Sequence, residues 1–266
     1  MESSKRAGTQ TLARAMALLR ELAARGQFGW GLGDLAERCG LDKGTAHRLL
    51  SHLKRERMVQ QRPGDRRYVA GPMMFELGLA HTDRAEFCSV AEAPLARLAK
   101  RLGCVAFLML RSGNDYVCAA RVSMSPIKGL SIEVGTRRPL VTSSGGVAIL
   151  IAMPASEART VAAQNLETVE RFGGSSTAAL EKMLRKSRRE GIGINERNLI
   201  PDWNAYALAV RDATGAPIAS LMIAGEASKL SLSTRPEIVE LLSAETEALG
   251  REAARLLVNP PQALAP

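Results

Sequence analysis

The side chains best suited to chemistry in this chain lie in residues 42–55, D-K-G-T-A-H-R-L-L-S-H-L-K-R. Helical spacing predicts one narrow apolar stripe, formed by Ala46, Leu49, Leu50 and Leu53. The opposite side carries polar side chains near the start of the helix: Thr45, His47, Arg48 and Ser51, with Lys43 closer to the buried edge. Arg48 suits the O6 and N7 atoms of guanine, and Thr45 suits a phosphate or a thymine methyl group.

A second basic segment follows in V-Q-Q-R-P-G-D-R-R-Y-V-A, residues 59–70. Two strand-like runs flank Pro-Gly-Asp, which is a turn sequence, so the segment predicts a β-hairpin. Its arginines, Arg62, Arg66 and Arg67, suit phosphates or the minor groove of DNA. From Lys43 to Arg67 there are eight basic and two acidic residues. Such a segment favours a polyanionic partner, with an affinity that falls steeply with salt.

The elements that must position these side chains are two earlier helices. Residues 11–26 form an amphipathic pattern with Thr11 as a candidate N-cap, and D-L-A-E-R-C predicts a short helix that ends at Gly40. The third helix starts near Asp42, so the spacing is that of a helix-turn-helix, and the hairpin adds a wing. The alternative is a solvent-exposed surface helix whose charged side chains bind no nucleic acid. The charge distribution favours nucleic acid, since residues 1–71 hold 14 Lys and Arg against 7 Asp and Glu, whereas the rest hold 22 against 20.

Composition excludes several other classes of protein. No apolar run has the length of a signal peptide or a membrane span, so we expect a cytoplasmic chain without membrane contact. The four cysteines form no C-x-x-C pair, and the three histidines are too scattered for a metal site. We therefore expect no metal, no cofactor and no catalytic residues.

Beyond the wing, P-M-M-F-E-L-G-L-A-H predicts a linker helix, with Pro72 in its first turn, that bridges domains or dimerises. Helices and paired strands then alternate, which predicts an α+β fold with an antiparallel sheet flanked by helices. The expected organisation is a winged helix-turn-helix domain, a linker helix, an effector-binding and oligomerisation domain, and a tail: residues 1–71, 72–87, 88–258 and 259–266.

Three separated motifs carry a family resemblance over roughly residues 9 to 257. L-G-D-L-A-E-R-C-G-L-D-K-G-T-A-H-R-L-L-S-H-L closely resembles the winged helix of IclR-type bacterial transcription regulators. V-G-T-R-R-P-L-V-T-S-S-G-G-V-A-I-L and E-G-I-G-I-N-E-R-N-L-I-P-D-W-N-A-Y-A-L-A-V-R-D, residues 134–150 and 190–212, resemble two further motifs of that family. The resemblance implies a homodimer or homotetramer that binds a double-stranded DNA operator, and a GAF-like domain that binds a small-molecule effector.

The sequence S-S-G-G, where it enters a helix, offers backbone N–H groups that attract an anion; close packing is the alternative reason for its glycines. A Ser-His triad is excluded within this domain, because no G-x-S-x-G elbow exists and all three histidines lie before residue 82. The resemblance implies a pocket whose wall residues, matched motif by motif, are Ile127, Leu130, Ser144, Gly145, Asn195, Trp203, Ala205, Met222 and Ala224.

Several of these residues depart from the pattern of family members that bind small acids. In those members an acidic residue commonly occupies the position of Asn195, and a small polar residue such as cysteine occupies that of Ala205. Residues with a hydroxyl group occupy the positions of Met222 and Ala224. A pocket without those polar groups favours an aromatic acid or another hydrophobic metabolite. The alternative is that Trp203 and Met222 are simply core residues.

Two alternative functions would require different residues in the second domain. An enzyme with a DNA-binding appendage would need a catalytic constellation, and the second domain offers no histidine, no paired cysteine and no metal motif. A winged-helix protein whose C-terminal domain only oligomerises and senses no ligand would need none of these.

Overall fold

The computed structural model describes residues 2–124, 132–169 and 176–257, with side chains from residue 9 onward. The described residues fall into two compact units: one runs to Thr82 and also includes Gly135–Arg137, and the other holds the remaining residues from Asp83 onward. The step from Thr82 to Asp83 lies inside the predicted linker 72–87. No helix among the described residues is both long enough and apolar enough to cross a membrane.

The N-terminal unit contains three helices and a hairpin before its last helix. Its elements are α1 (Glu2–Arg25), α2 (Leu32–Arg38), α3 (Lys43–Arg55), β1 (Val59–Gln61), β2 (Tyr68–Ala70) and α4 (Pro72–Leu79). Buried leucines from each of the first three helices meet Val59 and Tyr68 of the hairpin in one core. The predicted start of the first helix at Thr11 is wrong, since α1 already begins at Glu2. Residues 2–10 contain no proline, so nothing in the backbone ends the helix there.

Helix α3 begins where its sequence predicts. The side chain of Asp42 accepts a hydrogen bond of 2.8 Å from the backbone N–H of Thr45, which confirms Asp42 as the N-cap. Ala46 and Leu50 are fully buried, and Leu49 and Leu53 are half-buried against the same core. The apolar stripe therefore fixes which side of α3 remains exposed.

The C-terminal unit is built on a six-stranded sheet with the order β5-β4-β3-β8-β7-β6. The strands are β3 (Val105–Ser112), β4 (Asp115–Ser123), β5 (Arg137–Pro139), β6 (Gly193–Glu196), β7 (Trp203–Arg211) and β8 (Pro217–Glu226). The helices are α5 (Thr82–Leu102), α6 (Ser144–Ala152), α7 (Ala155–Thr168), α8 (Thr177–Glu190) and α9 (Arg235–Leu256). Thus the α+β fold with an antiparallel sheet is confirmed.

The two faces of this sheet carry separate cores. One core joins the sheet to α6, α7 and α8, and the other joins it to α5 and α9. Register places Ala224 of β8 between Val105 and Ala205, and Met222 between Phe107 and Ala207. All six side chains belong to the core on the α6 side. Alternation along β7 and β8 therefore sends the predicted pocket residues of both strands toward α6.

Candidate DNA-binding surface and ligand site

The exposed side of α3 brings together the five polar side chains predicted to face DNA. Lys43, His47 and Arg48 are exposed, and Thr45 and Ser51 are half-buried. The guanidinium of Arg48 donates a 3.2 Å hydrogen bond from Nη2 to the hydroxyl of Thr45. Because Asp42 anchors the backbone of Thr45, the start of the helix orients the Arg48 side chain.

The Asp42 cap makes the stability of this surface dependent on pH. The backbone N–H of Thr45, and after it the Thr45 hydroxyl, lowers the pKa of the Asp42 carboxyl below its usual 3.8. A lowered folded pKa means that the carboxylate stabilises α3 above pH 3.8, and that this contribution is lost as the pH falls through the folded value. We expect Asp42→Asn to keep the N-cap but to remove this pH-dependent contribution to stability. Urea unfolding between pH 2 and 6 measures the difference. Equal pH profiles for the wild-type protein and Asp42→Asn would contradict the expectation.

Two of the three wing arginines, Arg62 and Arg67, are hydrogen-bonded to other parts of the N-terminal unit. Arg62 forms two hydrogen bonds to the carboxylate of Asp65, at 2.6 and 3.2 Å, and donates at 2.8 Å to the carbonyl of Gln27 and at 3.2 Å to that of Phe28. Arg67 donates at 3.3 Å to the carbonyl of Gly29. These two guanidiniums thus tie the wing to the loop after α1.

Arg66 differs from its neighbours on the wing. Its side chain is exposed, and within the described part of the chain it forms no ion pair or side-chain hydrogen bond. Its backbone has a φ of 56°, in the left-handed region that few non-glycine residues adopt. Gln61 donates a 2.8 Å hydrogen bond to the carbonyl of Arg66 and so supports this turn. The structure therefore presents Arg66 as the outward-facing cation of the wing.

Sequence reasoning missed the contribution of residues 27–30 to the wing. Trp30 and Tyr68 exchange backbone hydrogen bonds of 2.9 and 2.8 Å, which adds a one-residue bridge beside β2. The indole N–H of Trp30 donates to the carbonyl of Glu21, and the guanidinium of Arg25 lies 4.1 Å from the ring centre. The glycines around Trp30 predict only a loop, so no local pattern indicates this bridge.

In the C-terminal unit, the predicted anion-binding turn is the N-terminus of α6. The Ser143 hydroxyl accepts a 3.0 Å hydrogen bond from the N–H of Gly146 and caps the helix. The N–H of Gly145 points instead at the sulfur of Met222, 3.3 Å away. Ser220 donates a 2.8 Å hydrogen bond from its hydroxyl to the carbonyl of Gly145. The start of α6 is therefore fastened to β8 at this point.

The structure brings most of the other predicted ligand-site residues to the same side of the sheet. Asn195 of β6 pairs with Ala205, which pairs with Ala224. Asn195 is buried and accepts a 3.1 Å hydrogen bond from the N–H of Leu199, while Trp203 is half-buried against the core on the α6 side. Ile127 and Leu130 lie outside the described residues.

Tyr116 is a further candidate that the sequence did not single out. Its side chain is fully buried on β4, and its hydroxyl lies beside the hydroxyls of Thr142 and Ser143, which act on it as hydrogen-bond partners. The hydroxyl of Ser144 is buried, and among the described residues it has no hydrogen-bond partner. Burial raises the pKa of Tyr116, which the charge of Arg138 offsets only in part, so the phenol stays protonated at neutral pH. A buried hydroxyl without a partner, such as that of Ser144, is rare in proteins and is usually satisfied by an ordered water, an ion or a ligand.

Neither metal chemistry nor a disulfide is built from the described residues. No three His, Cys, Asp or Glu side chains in the described ranges lie close enough to hold a metal ion. All four cysteines are free, and burial raises the pKa of Cys104 and of Cys118 to about 12, so both stay as thiols.

Family models match both units of the chain. Residues 11–63 match the IclR helix-turn-helix domain, and residues 79–251 match the bacterial transcriptional regulator IclR C-terminal domain. A curated relative, the HTH-type transcriptional repressor AllR of Klebsiella pneumoniae, is 27% identical over 233 residues, which is 86% of this chain and 85% of AllR. The glycerol operon regulatory protein of Streptomyces griseus is 28% identical over 235 residues, 88% of this chain and 91% of that protein.

Solved structures share the fold along most of the chain. An IclR-type regulator from a Silicibacter species superposes with a TM-score of 0.74 at 22% identity, covering 92% of this chain and 96% of the other. An IclR homologue from Microbacterium hydrocarbonoxydans, solved in complex with 4-hydroxybenzoate, superposes with a TM-score of 0.67 at 22% identity. The superposition covers 92% of this chain and 99% of the homologue.

Proposed function

The chain belongs to the IclR family of bacterial transcriptional regulators, and we propose that a small molecule bound in its C-terminal unit controls how it binds a DNA operator. The family models and the curated relatives are those of transcriptional regulators and not of enzymes. The helix-turn-helix makes this chain a DNA-binding protein. Its operator contacts, its effector and its assembly are the parts that we infer.

The observation that supports the operator contacts is the exposed side of α3. Base edges are read by Arg48, with Thr45, His47 and Ser51 beside it, because the N-terminal half of the second helix enters the major groove in this motif. Lys43 and the outward-facing Arg66 contact phosphates or the adjacent minor groove. Arg62 and Arg67 contribute by holding the wing in place, through their bonds to the loop after α1.

Arg66→Ala tests this division of roles within the wing. We expect it to weaken binding to the operator and to unrelated DNA by the same factor, and to reduce the salt slope of binding by about 1. Fluorescence anisotropy at several salt concentrations measures both effects. If the loss were confined to the operator, Arg66 would be reading bases and not phosphate.

Arg62→Ala is the matched control on the same hairpin. It removes bonds to Asp65 and to the carbonyls of Gln27 and Phe28. It should therefore lower the unfolding midpoint of the N-terminal unit, whereas Arg66→Ala should leave that midpoint unchanged.

Two copies of the chain form the DNA-binding assembly in this proposal. Apolar side chains stand exposed one turn apart on α1, at Leu12 and Met16, and on α4, at Phe75 and Leu79. Such exposed apolar side chains are typical of surfaces that a second copy covers. In the bacterial cytoplasm, effector binding would change the spacing of the paired helix-turn-helix units and so their match to the two half-sites.

The sensing role is supported by the buried hydroxyl of Ser144 at the start of α6, which has no hydrogen-bond partner among the described residues. A domain that only oligomerises has no use for this hydroxyl, whereas a ligand would satisfy it. A thermal-shift screen of hydrophobic and aromatic metabolites on the full chain tests this role, because a bound ligand raises the unfolding temperature. Stabilisation without turnover supports a sensor. The absence of stabilisation by every compound would favour a domain that only oligomerises.

A further inference from the structure

We propose that the C-terminal unit carries a second small-molecule site, separate from the effector site at the start of α6, and that it binds a small organic anion: a carboxylate on a short apolar body. The site is a cavity of about 330 Å³ lined by the C-terminal half of α6, the end of α8 and the last residues of β7. A cavity of this volume lies at the lower end of the range for small-molecule sites. None of the described residues predicted for the effector site lines it.

The cavity lies where the short strand β6 stops covering β7. Strand β6 pairs with β7 only from Asn204 to Ala207, so among the described residues 208–211 have no strand partner on that edge. An open sheet edge offers backbone N–H and C=O groups to a bound molecule. Ala207 lies in the core on the α6 side, and alternation along β7 turns Ala209 the same way. Both side chains are small, which leaves space between this edge and α6.

Two guanidiniums, those of Arg188 and Arg211, line this otherwise apolar cavity, and none of its described lining residues is acidic. The Nη1 atom of Arg211 donates to two backbone carbonyls, that of Ala152 at 3.0 Å and that of Gly215 at 2.7 Å. These bonds satisfy a carbonyl at the end of α6 and fix the guanidinium in place. Carbonyls carry no net charge, so the positive charge of Arg211 is left without a counter-charge.

Arg188 is the cation of the cavity that has no bond to the rest of the fold. Its side chain is exposed, and within the described ranges it forms neither an ion pair nor a hydrogen bond. Its neighbours on the same helix are paired: Arg185 with Glu181. Arg189 is paired with Glu190. A planar carboxylate matches the fork of a guanidinium, so Arg188 suits a ligand that brings this group.

The apolar part of the lining determines the rest of the ligand. Ala148 and Ile151 of α6 line the cavity together with Ala207 and Ala209. An inorganic anion such as phosphate would use the guanidiniums but would leave this apolar surface in contact with water. An organic acid uses both, because its carboxylate meets the cations while its hydrocarbon body covers the alanines.

The test measures the binding of matched compounds to the full-length wild-type chain: butyrate and benzoate, their amides butyramide and benzamide, and inorganic phosphate. Titration calorimetry gives the affinities, and thermal shift gives the stabilisation. We expect each acid to bind roughly tenfold or more tighter than its amide, more tightly than phosphate, and less tightly as salt rises. Equal affinity of acids and amides, tighter binding of phosphate, or no binding by either acid would overturn the proposal.

Arg188→Gln assigns the acids to this cavity, because it removes a charge from a side chain that holds nothing in the fold. We expect it to weaken both acids roughly tenfold and to leave the amides and the unfolding temperature unchanged. Arg185→Gln is the matched control, since Arg185 is exposed three residues earlier on α8 but does not line the cavity. An equal loss in the two variants would mean that the acids respond to the general charge of α8, which contradicts the site.

Ala209→Leu fills the cavity and keeps both guanidiniums. We expect the acids to lose at least tenfold in affinity, because the added side chain occupies the space of the hydrocarbon body. Acids that bind Arg188→Gln and Ala209→Leu as tightly as the wild-type protein would overturn the second site. The sensing function would survive that result, since an effector bound at the start of α6 should bind both variants as it binds the wild-type protein.

Discussion

Arg48→Ala should weaken binding to the selected operator by about 1–3 kcal/mol, roughly 5- to 150-fold, and should relax the base preference at one position in each half-site. A guanidinium that donates two bonds to guanine discriminates against the other bases, and alanine at that position cannot. Selection of operators from random DNA, followed by anisotropy titrations of single-base variants, measures both effects.

The structure gives Arg48 no role in folding that would confuse this result. Its side chain is exposed, and among the described residues it makes no ion pair and one hydrogen bond, to Thr45. Lys54→Ala is the matched control, because Lys54 is exposed on the same helix but further from its N-terminus. We expect Lys54→Ala to weaken all DNA sequences alike. Unchanged operator binding by Arg48→Ala would mean that α3 does not lie in the groove as proposed.

The parts of the DNA-binding surface that were predictable from sequence depend on local spacing. The Asp42 cap, the leucine stripe of α3 and the turn between β1 and β2 each involve residues a few positions apart. The bonds from Arg62 and Arg67 to residues 27–29 join positions more than thirty apart in the chain. No periodicity or turn pattern indicates such contacts, so the sequence alone made all three wing arginines look equivalent.

In the C-terminal unit too, the sequence predicts contacts between neighbouring segments but not contacts between distant ones. Turn residues between neighbouring strands predicted the hairpins β3–β4 and β7–β8, and both form. The pairing of β3 with β8, which unites the hairpins into one sheet, joins distant segments and has no local signal. Tyr116 became a candidate only once its strand and α6 were placed together, because the complete burial of its side chain is visible only in a packed structure.

Short strand β6 was also absent from the sequence reading, although its glycine determines how closely α6 approaches. Gly193 pairs with Ala207 on β7. A Cβ added to Gly193 would lie 2.1 Å from the backbone oxygen of Ser144 and 3.0 Å from the Cβ of Ala148. The sheet and the start of α6 therefore touch at a point where no larger residue fits.

Gly193→Ala should consequently destabilise the C-terminal unit by about 3 kcal/mol or more, the upper end of the usual cost of overpacking, because the obstacle is backbone and cannot rotate away. Either β6 or the start of α6 must move, and the Ser144 hydroxyl moves with it. We therefore expect ligand-dependent stabilisation to be lost as well. Urea unfolding and the thermal shift with the best ligand measure the two effects.

Gly191→Ala is the matched control for Gly193→Ala, because it introduces backbone strain two residues earlier in the chain without a steric clash. Gly191 has a φ of 73° and open space around its Cβ position, so alanine there costs only the left-handed penalty of about 1–2 kcal/mol. Its ligand affinity should remain that of the wild-type protein. If Gly193→Ala were no more destabilising than Gly191→Ala, close contact between β6 and α6 would not be what shapes the site, and the buried hydroxyl of Ser144 would owe its position to the helix alone.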